Sequence, residues 1–297
     1  MKLNRNTFQP IALWGIWLFL FTSCINDIDL EIDMPDERIS INCMHQSGST
    51  IKLYAHKLAA LDQEPLKYTA LKMRLIENGV EIGTSLLGSD SVYYFNQSFH
   101  QAANIEIVDT TTHKTYAGAL ETLDVIEIDE AIIYKDVTKP DPEEPYLEDE
   151  FSLHQITFTD QKGVDNYYQI CLKNGERWED HLFINSPVFT KSTSDSRHRI
   201  LFTDKLFKNK SVTLNIYSLN VCETAVLRNV SKSYFDYFKS LEAHYESQNV
   251  LYYDETAMDY FFQPLPVALY SNVTNGLGAF VSYSESQIPF KRISGDE

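Results

Sequence analysis

The chain has 297 residues, 43% of them hydrophobic, and carries 42 Asp and Glu against 25 Lys and Arg for a formal net charge of −17. That length allows one large or two medium domains with real cores. The charge argues against nucleic acid and bare anionic lipid as partners: phosphate binding needs clustered Lys and Arg, and Arg197-His198-Arg199, the nearest approach, reads as a solvated loop.

Residues 1–23 read as an export signal. Lys2 and Arg5 supply a basic start, and Ile11 to Phe21 (IALWGIWLFLF) is an apolar run too short for a bilayer span, which takes about 20 residues. Thr22 and Ser23 then place small residues before Cys24, in the manner of a lipobox. The expectation is a lipoprotein signal peptide over 1–23, with Cys24 lipidated and N-terminal and the membrane reached through that lipid. Removing the two basic residues takes the mature charge to −19.

Residues 24–38 follow as an acidic tether, since Asp27, Asp29, Glu31, Asp33, Asp36 and Glu37 leave too little contiguous apolar surface to offset the entropy of ordering. From 39 to 135 the pattern is that of short strands. Leu71, Met73 and Leu75 alternate with Lys72 and Arg74, and Asn78-Gly79 follows as a tight hairpin turn whose central positions need positive φ. Ile39 to His45, Ile51 to Ala55, Val92 to Phe95, Asn104 to Asp109 and Val125 to Ile133 add further β-branched and aromatic runs. Together they predict a β-sandwich of the immunoglobulin or transthyretin sort.

Residues 136–150 (DVTKPDPEEPYLEDE), with three prolines and seven acids, read as a linker. The acids lack the ligand spacing and turn glycine of a calcium loop. Residues 151–297 resume as a larger β-rich domain, with strands at Leu153 to Thr159, Asn166 to Lys173, Arg199 to Thr203 and Ser211 to Ser218. One segment has helical period: Tyr234, Phe238, Leu241 and Tyr245 share a face over 233–247, with Ser233 and Asp236 as a capping box. That stripe packs on a sheet or binds a partner, the former being the commoner use. Phe262 to Phe280 closes the chain as strand, turn at Asn275-Gly276, and a second strand from Ala279, with Gly278 allowing a bulge or a close backbone approach.

Chemistry is sparse. Cys43, Cys171 and Cys222 remain after Cys24, an odd number, so either Cys171 and Cys222 form one bridge or the thiols are buried and free. Neither CxxC nor His-Glu-x-x-His occurs, and nothing calls for a metal or cofactor. A Gly-x-Ser-x-Gly elbow and a phosphate-binding glycine loop are likewise missing, so the chain is read as not an enzyme. Asp90-Ser91-Val92 and Asp109-Thr110-Thr111 match Asp-Ser/Thr-X sites of O-glycosylation, which makes Ser91 and Thr110 candidates.

Several of these features together resemble one family, the Bacteroidota lipoproteins called domain-of-unknown-function family 4249. They are the lipobox and acidic start, Asn166-Tyr167-Tyr168 entering a strand, Ser233-x-x-x-Tyr237-Phe238-x-x-Leu241-Glu242 on the helix, and Tyr270-Ser271-Asn272-x-x-Asn275-Gly276-Leu277-Gly278-x-Phe280 at the close. The resemblance implies an outer-membrane lipoprotein, displayed at the cell surface in preference to the periplasmic face. It further implies an accessory or ligand-binding protein working with a TonB-dependent transporter; a structural or adhesive envelope protein and a hydrolase with an unrecognised site are the alternatives. It carries over no catalytic residue. Asn275, Gly276, Leu277 and Gly278 are either a structural turn or a ligand contact.

Overall fold

In the computed structural model the described residues are 39–57, 66–140, 148–179, 182–184, 200–248 and 267–293. The alternation read from the sequence is realised strand by strand. Ile39, Ile41 and Cys43 turn inward along the Ile39–Gln46 strand, as do Leu71, Met73 and Leu75 along Leu71–Glu77. Asn78 and Gly79 adopt φ of 52° and 79° and join Leu71–Glu77 to Val80–Thr84.

The described strands form three sheets, and the fold is mainly β with sandwich-like packing. The largest sheet, of ten strands, runs in the order Arg177–Trp178, Tyr167–Asn174, Thr224–Val230, Phe280–Pro289, Ile39–Gln46, Ile51–Lys57, Tyr93–Phe95, Leu86–Leu87. Ile200–Thr203 and Leu66–Lys67 pair at its sides. A four-stranded sheet (Val80–Thr84, Leu71–Glu77, Ala102–Asp109, Thr115–Glu121) contributes Met73, Leu75, Ile105 and Ile107 to a core shared with Ile41, Ile51, Leu53 and Phe95 of the large sheet. A five-stranded sheet (Leu182–Ile184, Ser211–Ser218, Glu148–Thr159, Ile128–Pro140, Lys291–Arg292) brings Ile156, Phe158, Leu214 and Ile216 against Tyr168, Ile170, Leu172 and Leu227 in a second core.

The Phe280–Pro289 strand unites the two halves of the chain. It runs parallel to Ile39–Gln46, pairing Phe280 with Cys43 and Tyr283 with Gln46, and antiparallel to Thr224–Val230 on its other edge. Residues Glu37–Glu297 accordingly form one compact unit.

Three expectations are corrected in detail. The stretch 136–150 is paired strand at its described ends, not open chain: Lys139 faces Asp149 and Pro140 faces Glu148 across an antiparallel ladder. A ladder asks only for backbone N–H and C=O groups, which acidic residues supply as well as others, and Pro140 stands at its last rung, where a missing donor costs least. The helix is Lys232–Gln248, and its N-cap is Ser231 instead of Ser233. Ser231 Oγ accepts the Tyr234 N–H at 3.1 Å and the Ser282 N–H at 3.1 Å, while Asp236 pairs with Lys232. Residues 267–273 make no ladder; side chains of the helix hold them, with Ser240 Oγ accepting the Tyr270 N–H at 2.8 Å and Ser247 Oγ the Val267 N–H at 3.3 Å.

The aromatic stripe of the helix packs on the sheet. Tyr234 and Phe238 lie against Val230, Ala279 and Val281 on the face of the large sheet away from the two sandwich cores. Cys43, Cys171 and Cys222 are buried, and none is bridged. Burial pushes the Cys222 thiol up to about 12, with the Glu179 carboxylate adding to the rise, so it is no nucleophile at neutral pH.

Candidate functional site

The Asn272 to Phe280 motif is the most specific part of the sequence, and every element of it is engaged within the fold. The turn is centred on Thr274 and Asn275, one residue earlier than the sequence suggests: the Gly276 N–H donates to Val273 O at 3.3 Å and Asn275 holds φ of 59°. Asn275 Nδ2 donates to Thr115 O at 3.2 Å and the Thr274 N–H to Ala117 O at 2.9 Å, fastening the turn to the Thr115–Glu121 strand. Asn272 acts as a side-chain rung, its Nδ2 donating to Phe280 O and its Oδ1 accepting the Phe280 N–H, both at 2.8 Å.

Leu277 and Gly278 fasten the same segment to the first strand. The Ile41 N–H donates to Leu277 O at 2.8 Å and the Leu277 N–H to Ile39 O at 3.2 Å. Gly278 has φ of +115°, and a Cβ built there would stand 2.1 Å from Ile41 O and 2.9 Å from Ile41 N. No side chain fits between two backbones at that distance, so the glycine is required by the joint. A second glycine, Gly118, lies flat beneath Phe280, whose ring would stand 2.4 Å from a Cβ. Phe280 is fully buried in the first core. Asn275, Gly276, Leu277 and Gly278 therefore form a clamp between the first strand, the Thr115–Glu121 strand and the closing strand.

The profile of the family described as "Domain of unknown function (DUF4249)" matches residues 25–288. The chain belongs to the DUF4249 family. No curated protein matches it. Seven chains of solved structure match. One is titled "Biofilm associated protein - BSP domain"; it is 10% identical, with a TM-score of 0.23, over 86% of this chain and 30% of that one. This chain thus spans less than a third of that protein's length, and a likeness of that order carries no argument about either fold or function.

The two glycosylation candidates of this DUF4249 chain lie in turns fastened to one segment, Lys67–Leu71. The Lys67 ammonium donates to Asp90 O at 3.0 Å, and the Thr110 N–H and Oγ1 both donate to Ala70 O, at 2.8 and 3.0 Å. Ser91 has φ of 63° and is half-buried, while Thr110 is exposed. Asp109 is buried, which raises its carboxyl, but N–H groups of Thr111 and Thr112 and the Tyr68 hydroxyl hold it below the ordinary range. Cys24 lies outside the described residues.

Two polar clusters escaped the sequence. Asp160, buried, accepts from the Tyr168 hydroxyl at 2.6 Å, Asn166 Nδ2 at 3.1 Å and the Asn209 N–H at 2.7 Å; it ties two loops together. Burial, with the nearby Asp160 charge, holds the Asp204 carboxyl above its usual value. On the helix-bearing face, Arg228 pairs with Glu285 at 2.7 Å and donates to Gln169 Oε1 at 3.1 Å, which also accepts the Tyr234 hydroxyl at 2.6 Å. The guanidinium lies 4.8 Å from the Tyr283 ring centroid and 5.2 Å from that of Trp178. The first cluster brings Asn209 to Asp160 across 49 positions, and the second brings Arg228 to Glu285 and to Gln169 across 57 and 59, so local pattern could not group them. Among the described residues no group of three or more His, Cys, Asp and Glu side chains could hold a metal ion.

Proposed function

We propose that this protein is an outer-membrane lipoprotein, anchored through lipid on Cys24 and displayed at the cell surface, that serves as an accessory or ligand-binding partner of a TonB-dependent transporter. The observation that carries the reading is the start of the chain: a short apolar run, two small residues, Cys24, and then six acids within 14 residues. Support comes from the family membership and from the architecture of Glu37–Glu297. Its most specific motif is spent on holding one β body together, which suits a presenting or docking module.

Two experiments test it. Labelled fatty acid should be incorporated into the native chain and not into Cys24→Ala, which should appear in the soluble periplasmic or secreted fraction; a variant that stayed membrane-bound would sink the anchor. The lipidated protein, solubilised gently, should co-purify with an outer-membrane barrel. Repeated recovery without any barrel would favour an envelope protein of structural or adhesive type.

A further inference from the structure

The outer face of the large sheet is covered by the helix over its Thr224–Val230 and Phe280–Pro289 strands, but the part belonging to the first sandwich differs sharply in character from the rest of the chain. Five strands make it up: Ile39–Gln46, Ile51–Lys57, Leu66–Lys67, Leu86–Leu87 and Tyr93–Phe95. None of their residues is acidic, in a chain with 42 acids. The register Asn42–Tyr54, Ser40–His56–Lys67 and Lys52–Tyr94–Leu86 puts these side chains on one surface, with Met44 beside them. Met44 is 47% exposed, Tyr54 46% and Leu86 56%; Lys52 and Lys67 are exposed as well. Lys52 Nζ lies 5.9 Å from the Tyr94 ring centroid. Among the described residues Asp90, at the rim, is engaged by the Tyr94 hydroxyl and the Val92 N–H.

We propose that this face docks on an anionic lipid surface, with Lys52 and Lys67 against headgroup phosphates and Tyr54, Tyr94, Met44 and Leu86 entering the interfacial layer. Tyr and Lys carry apolar bodies with polar tips, the chemistry suited to that depth, and the aliphatic Met44 and Leu86 between them favour an acyl boundary over a soluble polyanion. The chain-wide negative charge does not forbid this, because charges beyond about 8 Å are screened at physiological salt and the facing side chains decide. The polypeptide also enters this very sheet at Ile39, 15 residues after Cys24, a leash of at most about 50 Å. The proposal rests on the lipid-anchored reading and deepens it: the lipid on Cys24 holds the chain near the membrane, and this face adds a second contact.

The test uses the mature chain from residue 24 with Cys24→Ala, so that no lipid contributes and failure here is distinct from failure of the anchor. It should sediment with vesicles of about three parts phosphatidylcholine to one part phosphatidylglycerol, and be released by about 0.5 M NaCl. Lys52→Glu with Lys67→Glu should weaken partitioning by about thirtyfold, and Tyr54→Ser should weaken it further with the thermal midpoint unchanged. Equal sedimentation with pure phosphatidylcholine, no sedimentation at all, or a charge-reversed variant that binds like the parent would overturn the proposal. Binding of soluble polyuronate through the same lysines, in place of vesicles, would overturn it too.

Discussion

Two regions of the molecule use their side chains in opposite ways. At the clamp, Asn272, Asn275 and Gly278 are committed atom by atom: amide groups serve backbone partners on two strands, and a backbone stands where a side chain would be. On the acid-free face, Lys52, Tyr54 and Met44 are exposed and add nothing to the cores. Sequence specificity alone would rank the first as the binding site, because it is the sharper motif. Geometry gives the sharper motif a structural use, since a motif can be specific because it has to fit itself.

The contrast can be broken from the clamp side first. Gly278→Ala should cost about 4 kcal/mol or more, because the added methyl meets the Ile41 backbone and the φ is unfavourable; denaturant unfolding would show it, and a variant near parental stability would mean the first strand is not held as described. Acid should be the next largest effect. Burial lowers His45 and His154 to about 4 from an ordinary 6.5, and His154 accepts the Cys222 N–H at 3.1 Å only while neutral. Between those pH values the unfolded chain takes up protons that the folded chain refuses. Stability should therefore fall as pH drops from 6.5 to 4, by up to about 3 kcal/mol per ring. Unfolding midpoints at three pH values would reveal it, and His45→Leu should remove part of the slope.

Asn272→Ala should cost about 2 kcal/mol, since it leaves the Phe280 N–H and C=O without their rung. Smallest is the change on the open face: Tyr54→Ser should move the unfolding free energy by no more than about 0.5 kcal/mol. A larger loss there would mean that the face is part of the core after all, and would remove the contrast.

What the sequence discloses is local. The alternation in Leu71–Glu77, the hairpin at Asn78-Gly79 and the helix stripe at Tyr234 and Phe238 all depend on neighbours within a few residues, and each is found where its period places it. Gly278 reads in advance as a close approach, but its partner, Ile41, lies at the other end of the chain and leaves no mark nearby. Gly118 looks like an ordinary small residue until Phe280 is seen lying on it. Ser231 is displaced as cap by the more conspicuous Ser233 because the sequence does not say that Ser282 needs the same oxygen. Acidic and proline content marks 136–150 as linker, while the ladder there depends on backbone groups that composition does not register.

The parallel pairing of first and closing strands has a consequence for the order of events in synthesis. Asn42 Oδ1 receives the Ala279 N–H at 3.0 Å across 237 positions of sequence. The Ile39–Gln46 strand must wait, with one edge open, until the Phe280–Pro289 strand has emerged. Contacts so distant close late and slowly. The sheet that Ile39–Gln46 joins is therefore completed only once the Phe280–Pro289 strand has been made.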